Sequence, residues 1–257
     1  MARTTDNTIE IFINSATDKV NLNDTPSRWT TFFEIPIEVD GASTLAVHKA
    51  SILNSLPNFH ADERQFRLNS TTLTVDKNIV FTSATTLATY LTSLTTNAGF
   101  DITFAIDADS QRLRITNNDT ADLVIDLADV FLPFWEKMGF KYDDASALPS
   151  ITLPQDDDVL FLYLPIVIST QCVYIVSNAI VPNSNYATDS NRAILCSIDF
   201  DGGFGRYNTF EASFLYKHDL ITKHGFNSMS FEVLDDKYRP VDMFGGKCGI
   251  SMILSKI

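Results

Sequence analysis

Residues 226–255 constrain the fold more than any other stretch of the chain. Met229, Phe231 and Val233 alternate with Ser228, Ser230 and Glu232, and beyond Asp235-Asp236-Lys237-Tyr238-Arg239-Pro240 a second alternation sets Ile250, Met252 and Leu254 on one face. Successive side chains of an extended chain point to opposite sides, so a period of two predicts half-buried β-strands. The segment 235–246 between them is too long for the two-residue turns of tightly paired hairpins. No catalytic motif lies in it, and the same holds along the rest of the chain.

The same period recurs upstream. Ile9, Ile11 and Ile13 alternate with Glu10, Phe12 and Asn14, which predicts a strand over 9–15 after a polar, mobile arm at 1–7. A second strand over 29–39 is dense in aromatic and β-branched residues (Trp29, Phe32, Phe33, Ile35, Ile37, Val39), and its Pro36 marks a sheet edge or a bulge. A turn at 40–43 leads to a third strand over 44–55. No helical period separates the three, so they predict an antiparallel all-β domain.

The pattern then changes. After a strand at 66–75, Leu87, Tyr90, Leu91, Leu94 and Ala98 recur at helical spacing over 82–98, with Thr82 or Ser83 as N-cap and Gly99 as the stop. A hairpin follows, Ile102, Phe104 and Ile106 returning through Leu113 and Ile115, then a short strand at 123–125. Asp129 is expected to cap a short helix with Pro133 in its first turn and Gly139 at its end. Residues 59–157 read as a small α+β unit, with the acidic segment 143–158, containing Pro149 and Pro154, as its return linker. Apolar runs at 159–168 and 172–181 and strands at 193–200 and 210–217 complete the pattern.

Composition excludes several function classes. A chain of 257 residues buries enough surface to need neither disulfides nor a metal. Cys172, Cys196 and Cys248 are odd in number and lack the spacing of a zinc site, so they read as reduced core or near-core residues. A formal charge of −13 leaves little to attract phosphate, and no direct nucleic-acid binding is expected. No apolar run approaches bilayer length and the N-terminus lacks a signal core, so the expectation is a soluble chain of a reducing compartment, without membrane insertion. No cofactor is expected.

Eight strands stand outside the α+β unit: 9–15, 29–39, 44–55, 172–181, 193–200, 210–217, 226–234 and 247–255. Eight is the count of a jelly roll, two four-stranded sheets face to face. The predicted fold is therefore mainly β: an eight-stranded antiparallel single jelly roll (β-sandwich), built from 1–58 and 158–257, with a small α+β insertion domain at 59–157 between the third and fourth strands. In that fold the last two strands belong to opposite sheets, residues 235–246 form the corner, and Ile250, Met252 and Leu254 face Phe231 across the core.

This layout resembles the single jelly-roll penton, or minor capsid, proteins of virophages and of polinton and adintovirus-like double-stranded DNA viruses. Local segments are also similar: Trp135-Glu136-Lys137-Met138-Gly139-Phe140 closing the insert, Val173-Tyr174-Ile175-Val176-Ser177-Asn178 after it, and Phe231-Glu232-Val233-Leu234-Asp235-Asp236 near the end. The resemblance implies a virion protein at the capsid vertex, assembled in the host cytoplasm or a viral factory. Its implied partners are four further copies in a homopentamer, the neighbouring major capsid protein and, through an outward-projecting insert, a host surface receptor.

Other residues invite chemistry but have simpler readings. Asp199 with Asp201, Asp235 with Asp236, and Asp156-Asp157-Asp158 contain the paired carboxylates of a glycosidase, yet all sit at strand ends or in a linker, where Asp bonds local backbone. His218 and His224 have no third partner for a metal or catalytic site, and His48 and His60 stand alone. Asp201-Gly202-Gly203-Phe204-Gly205-Arg206 lacks the Lys and Ser/Thr of a phosphate loop. Aromatic side chains are the better candidates, as anchors of a subunit interface: Trp29, Phe32, Phe33, Phe204 and Tyr207. Phe32 and Phe33 face opposite ways on a strand, so one of them must meet the insert, a neighbour or water. The rival reading is a receptor- or carbohydrate-binding β-sandwich, such as a fibre head or lectin-like module; a glycoside-active enzyme is the third.

Overall fold

The computed structural model describes residues 2–5, 8–17, 27–39, 43–140, 149–167, 170–182, 192–200, 204–222, 224–241, 243 and 246–256. The chain forms two compact units, one from Met1–Leu56 with Thr170–Ile257 and one from Pro57–Ser169. In the first unit the chain begins with β1 (Ala2–Thr5), β2 (Thr8–Asn14), β3 (Arg28–Ile37) and β4 (Thr44–Leu53). The second unit holds a 3-10 turn (Ala61–Glu63), β5 (Gln65–Leu68), β6 (Thr71–Thr74), α1 (Ala84–Asn97), β7 (Ile102–Ile106), β8 (Leu113–Asn117), β9 (Leu123–Asp126), α2 (Leu132–Lys137), β10 (Ser150–Leu153) and β11 (Asp158–Leu160). The first unit resumes with β12 (Cys172–Ser177), β13 (Ile194–Asp199), β14 (Tyr207–Glu211), β15 (Lys217–Asp219), β16 (Phe226–Leu234) and β17 (Cys248–Ser255).

Two antiparallel sheets make up the first unit. One runs β1-β2-β17-β4-β14, with β15 also on β4, and the other runs β13-β12-β16-β3. With β14 and β15 taken as one strand and β1 set aside, the eight strands fall in the orders 1-8-3-6 and 2-7-4-5, the arrangement of a jelly roll. The last two strands are in opposite sheets: β16 pairs with β12 and β3, β17 with β2 and β4. Phe231, Ile250, Met252 and Leu254 belong to one core without sharing a ladder.

Several sequence expectations are corrected. The arm expected to be mobile contains β1, which pairs with β2 from Ala2↔Ile11 to Thr5↔Thr8, because an open strand edge offers unpaired backbone groups. The strand expected over 210–217 is broken: β14 and β15 pair with opposite ends of β4, and residues 212–216 leave the ladder between them. The strand at 66–75 is a hairpin, β5 with β6, turned at Asn69, which takes the left-handed backbone at φ 50°. Within the expected linker, β10 pairs with β9. Asp158–Leu160, placed by the sequence reading after the insert, pairs with β8 inside the second unit.

The second unit is built around aromatic rings. Phe66 stacks on Phe134 at 4.4 Å between ring centres, and Trp135 meets both edge-on at 5.4 and 4.9 Å. Helix α1 starts at a reciprocal cap, Thr86 N donating to Ser83 Oγ at 3.1 Å and Ser83 N to Thr86 Oγ1 at 3.2 Å. The N-cap of α2 is Phe131 and not Asp129; Trp135 instead anchors that end by donating its indole N–H to the Asp126 carbonyl at 2.9 Å. Gly139 ends the helix at φ 97°, where a Cβ would stand 2.1 Å from the Tyr163 carbonyl oxygen. No larger residue fits there.

A charged pair is sealed in this aromatic setting. Lys137 Nζ donates to Glu63 Oε2 at 2.9 Å, both side chains are almost wholly buried, and the ammonium lies 5.2 Å from the Phe59 ring centre. Breaking such a pair strands one charge away from water, at about 3–5 kcal/mol, whereas removing both charges is close to neutral. Lys137→Met is accordingly expected to lower unfolding free energy by about 3–5 kcal/mol in urea titration, and adding Glu63→Gln to restore most of it. In the first unit Trp29 and Phe231 stack at 5.3 Å, and Trp29→Ala is expected to cost about 3–5 kcal/mol in the same assay.

Candidate functional site

The sandwich has two sides, and strand packing fixes which edges share them. β13, an edge of its sheet, packs against β14 of the other. β3, the opposite edge of its sheet, therefore lies on the side of β2 and β1.

On the β3 side, period two is broken. The register runs Ser228↔Phe32 and then jumps to Phe226↔Ile37, so residues 33–36 bulge against a single residue of β16. Pro36, which has no N–H to donate, sits in this bulge on an edge strand, as its sequence position predicted. Trp29 faces inward and is 1% exposed, so it is a core residue and is withdrawn as an interface candidate. Phe33 also packs on the core, edge-on to Phe226 at 5.9 Å. Phe32 points the other way and is half exposed, and the bulge turns out Ile35, 81% exposed. The sequence reading missed Ile35, because only the bulge separates it from its inward-facing neighbours.

Across the molecule, β14 and β15 carry the other group. Phe204 and Tyr207 are exposed. Ala212 N donates to the His48 carbonyl at 3.0 Å, after which the chain lifts away and exposes Phe214, at 79%, with Leu215 and Tyr216. These three were missed because an apolar run inside an expected strand reads as core. On rejoining the sheet at β15, His218 turns inward to 4% exposure and its Nε2 bonds the Leu195 carbonyl of β13 at 3.2 Å. The Tyr216 ring meets it at 5.1 Å.

Several of the remaining sequence candidates within the described residues are structural. Asp235 is fully buried; its Oδ1 accepts from the backbone N–H of Lys237 and Arg239, at 2.9 and 2.7 Å, and its Oδ2 from Arg239 Nε at 2.8 Å. Asp158 and Asp107 flank Arg114, and hydrogen bonds from Ser110 hold the Asp107 carboxyl well below the usual range. His224 N donates to Thr222 Oγ1 at 3.4 Å, and His224 and His218 are not brought together with a third ligand. Among the described residues no group of three or more His, Cys, Asp or Glu is placed to hold a metal ion. Asp201, Gly202 and Gly203 lie outside the described residues. Cys196 and Cys248 are buried, and burial pushes the Cys248 thiol up to about 12. A cleft of about 470 Å³ on the outer face of β2, β4 and β17 is lined by Phe12, Lys49, Ser51 and Gly249 among others.

No family model matches the chain, and no curated protein matches it. Two solved structures are similar to it in fold over nearly their full lengths. The mavirus penton protein is 13% identical, with 98% of this chain and 99% of that chain covered and a TM-score of 0.49. A chain of the Sputnik virophage structure is 12% identical, with 98% of each chain covered and a TM-score of 0.48. The jelly-roll assignment itself rests on strand order.

His218 gives the site a pH dependence. Burial lowers its pKa, opposed in part by the Leu195 carbonyl and by Asp219. A depressed pKa means the unfolded chain takes up the proton first, so stability is full above the unfolded value, about 6.5, and is lost as pH falls below it. His218→Gln, which retains an N–H for the Leu195 carbonyl, is expected to flatten the loss of urea midpoint between about pH 7 and 5.

Proposed function

We propose that the chain is a structural capsid protein that forms the pentameric vertex of an icosahedral double-stranded DNA virus or virophage. The observation that carries this reading is the jelly-roll strand order interrupted between its third and fourth strands, β4 and β12, by a separate compact unit. That is the layout the sequence resemblance implies for penton proteins. In this reading the insert, 59–157 by sequence and 57–169 by packing, stands on the virion exterior, where a host receptor would meet it, while the jelly roll contacts its own copies and the neighbouring major capsid protein.

Residues 57–169 carry 16 acidic and 7 basic residues, so nine of the thirteen net negative charges of the chain would face the medium and keep free subunits apart before assembly. Assembly then needs surfaces where apolar contact outweighs that repulsion, and the two exposed edges supply them. Light scattering of the purified protein is expected to show a particle of five 28.7 kDa chains, and imaging of native particles to place it at the fivefold vertices. Monomer at all concentrations together with absence from the vertices would sink the reading. A glycan-array hit by a non-assembling protein would favour the fibre-head or lectin-like alternative.

A further inference from the structure

The two edges are not alike. The β3 edge presents Phe32 and Ile35 with the exposed carboxylates of Glu34 and Glu38; Arg28, the basic residue that opens the strand, stands opposite Glu232 of β16 in the register, which leaves the two glutamates in excess. The β14–β15 edge presents Tyr207, Phe214, Leu215 and Tyr216 with the exposed cations of Arg206 and Lys217. Of the acidic residues there, Glu211 lies 3.7 Å from Lys49, which leaves Asp219 as the opposing charge. One edge is thus apolar and acidic, the other apolar with a basic excess, and they lie on opposite sides of the sandwich.

We infer that the β14–β15 edge of one copy docks against the β3 edge of a second copy, Phe214 and Tyr207 meeting the Ile35 bulge, with Arg206 and Lys217 set against Glu34 and Glu38. A twofold contact would bring each edge against itself, acid on acid at β3, and like charges in a contact disfavour association. A head-to-tail contact instead brings unlike charges together and leaves a free edge of each kind at the ends of every open oligomer. Pro36 and the bulge prevent simple sheet-to-sheet pairing at β3, so the contact is made by side chains and not by a continued ladder. Closure of the chain of contacts into a ring rests on the vertex reading above; the polarity of the contact does not.

Polarity can be read out by mixing. Ile35→Asp disables one edge and Phe214→Asp the other, and both side chains are already exposed, so each variant is expected to keep the wild-type circular dichroism and melting temperature. Either alone is expected to need on the order of 30-fold more protein to assemble. Mixed one to one, the intact β14–β15 edge of the Ile35→Asp chain docks on the intact β3 edge of the Phe214→Asp chain, and assembly stops at a dimer in light scattering. Phe32→Ala and Tyr207→Ala repeat the mixing test with milder changes should an aspartate variant misfold. A mixture that stays monomeric, or a single variant that assembles as the wild type does, overturns the inference. Fivefold vertex density with a monomeric mixture removes this edge pairing and leaves the vertex role standing; a dimeric mixture without vertex density does the reverse.

Discussion

Trp29 stacks on Phe231 of the adjacent strand, and both share a core with Ile250, Met252 and Leu254 of the opposite sheet. The jelly roll depends on this inward layer. Burying each large apolar side chain contributes about 1.5–3 kcal/mol, and only inward positions collect that gain. Because side chains alternate along a strand, the layer also fixes what must point outward. Phe33 packs inward and Phe32, its neighbour, cannot.

A two-sheet sandwich that does not close into a barrel leaves four strand edges. Here each is handled differently. β1 lies along β2, the β3 edge carries a bulge and a proline, β14 and β15 are split by a loop that leaves the ladder, and His218 ties that side to β13 through the Leu195 carbonyl. The same devices that prevent indiscriminate strand pairing expose Ile35 and Phe214. Protection of the edges and presentation of apolar side chains are therefore one structural solution.

The second unit reaches stability by other means. Its small sheets, β10-β9-β5-β6 and β11-β8-β7, surround stacked aromatic rings and hold the buried ion pair of Glu63 with Lys137. Such a pair adds little net stability over apolar residues of the same size, but it penalises any packing that parts the two charges. Most of the net negative charge of the chain lies in this region while its core is apolar, so the unit combines a specific interior with a strongly solvated surface.

Much of the architecture was legible in the sequence. Period two located most of the strands from Ile9 to Leu254, helical spacing located α1, and the length of the 235–246 segment already excluded a tight two-residue hairpin between the last two strands. These features depend on local geometry and on apolar side chains seeking one face, both written in residue order. Pairing partners were not legible: β1 on β2, β10 on β9 and β11 on β8 join segments whose own patterns are weak. Nor was the fate of individual apolar residues. Trp29 went to the core and Ile35 to the surface although both lie in one apolar strand, because a one-strand bulge resets the alternation and only the register with β16 creates that bulge. The sequence by itself determined most of the extended segments of the sandwich and the alternation by which two sheets enclose a core. Tertiary structure alone decided which strands became edges and what those edges display, since an edge is defined by the neighbour it lacks.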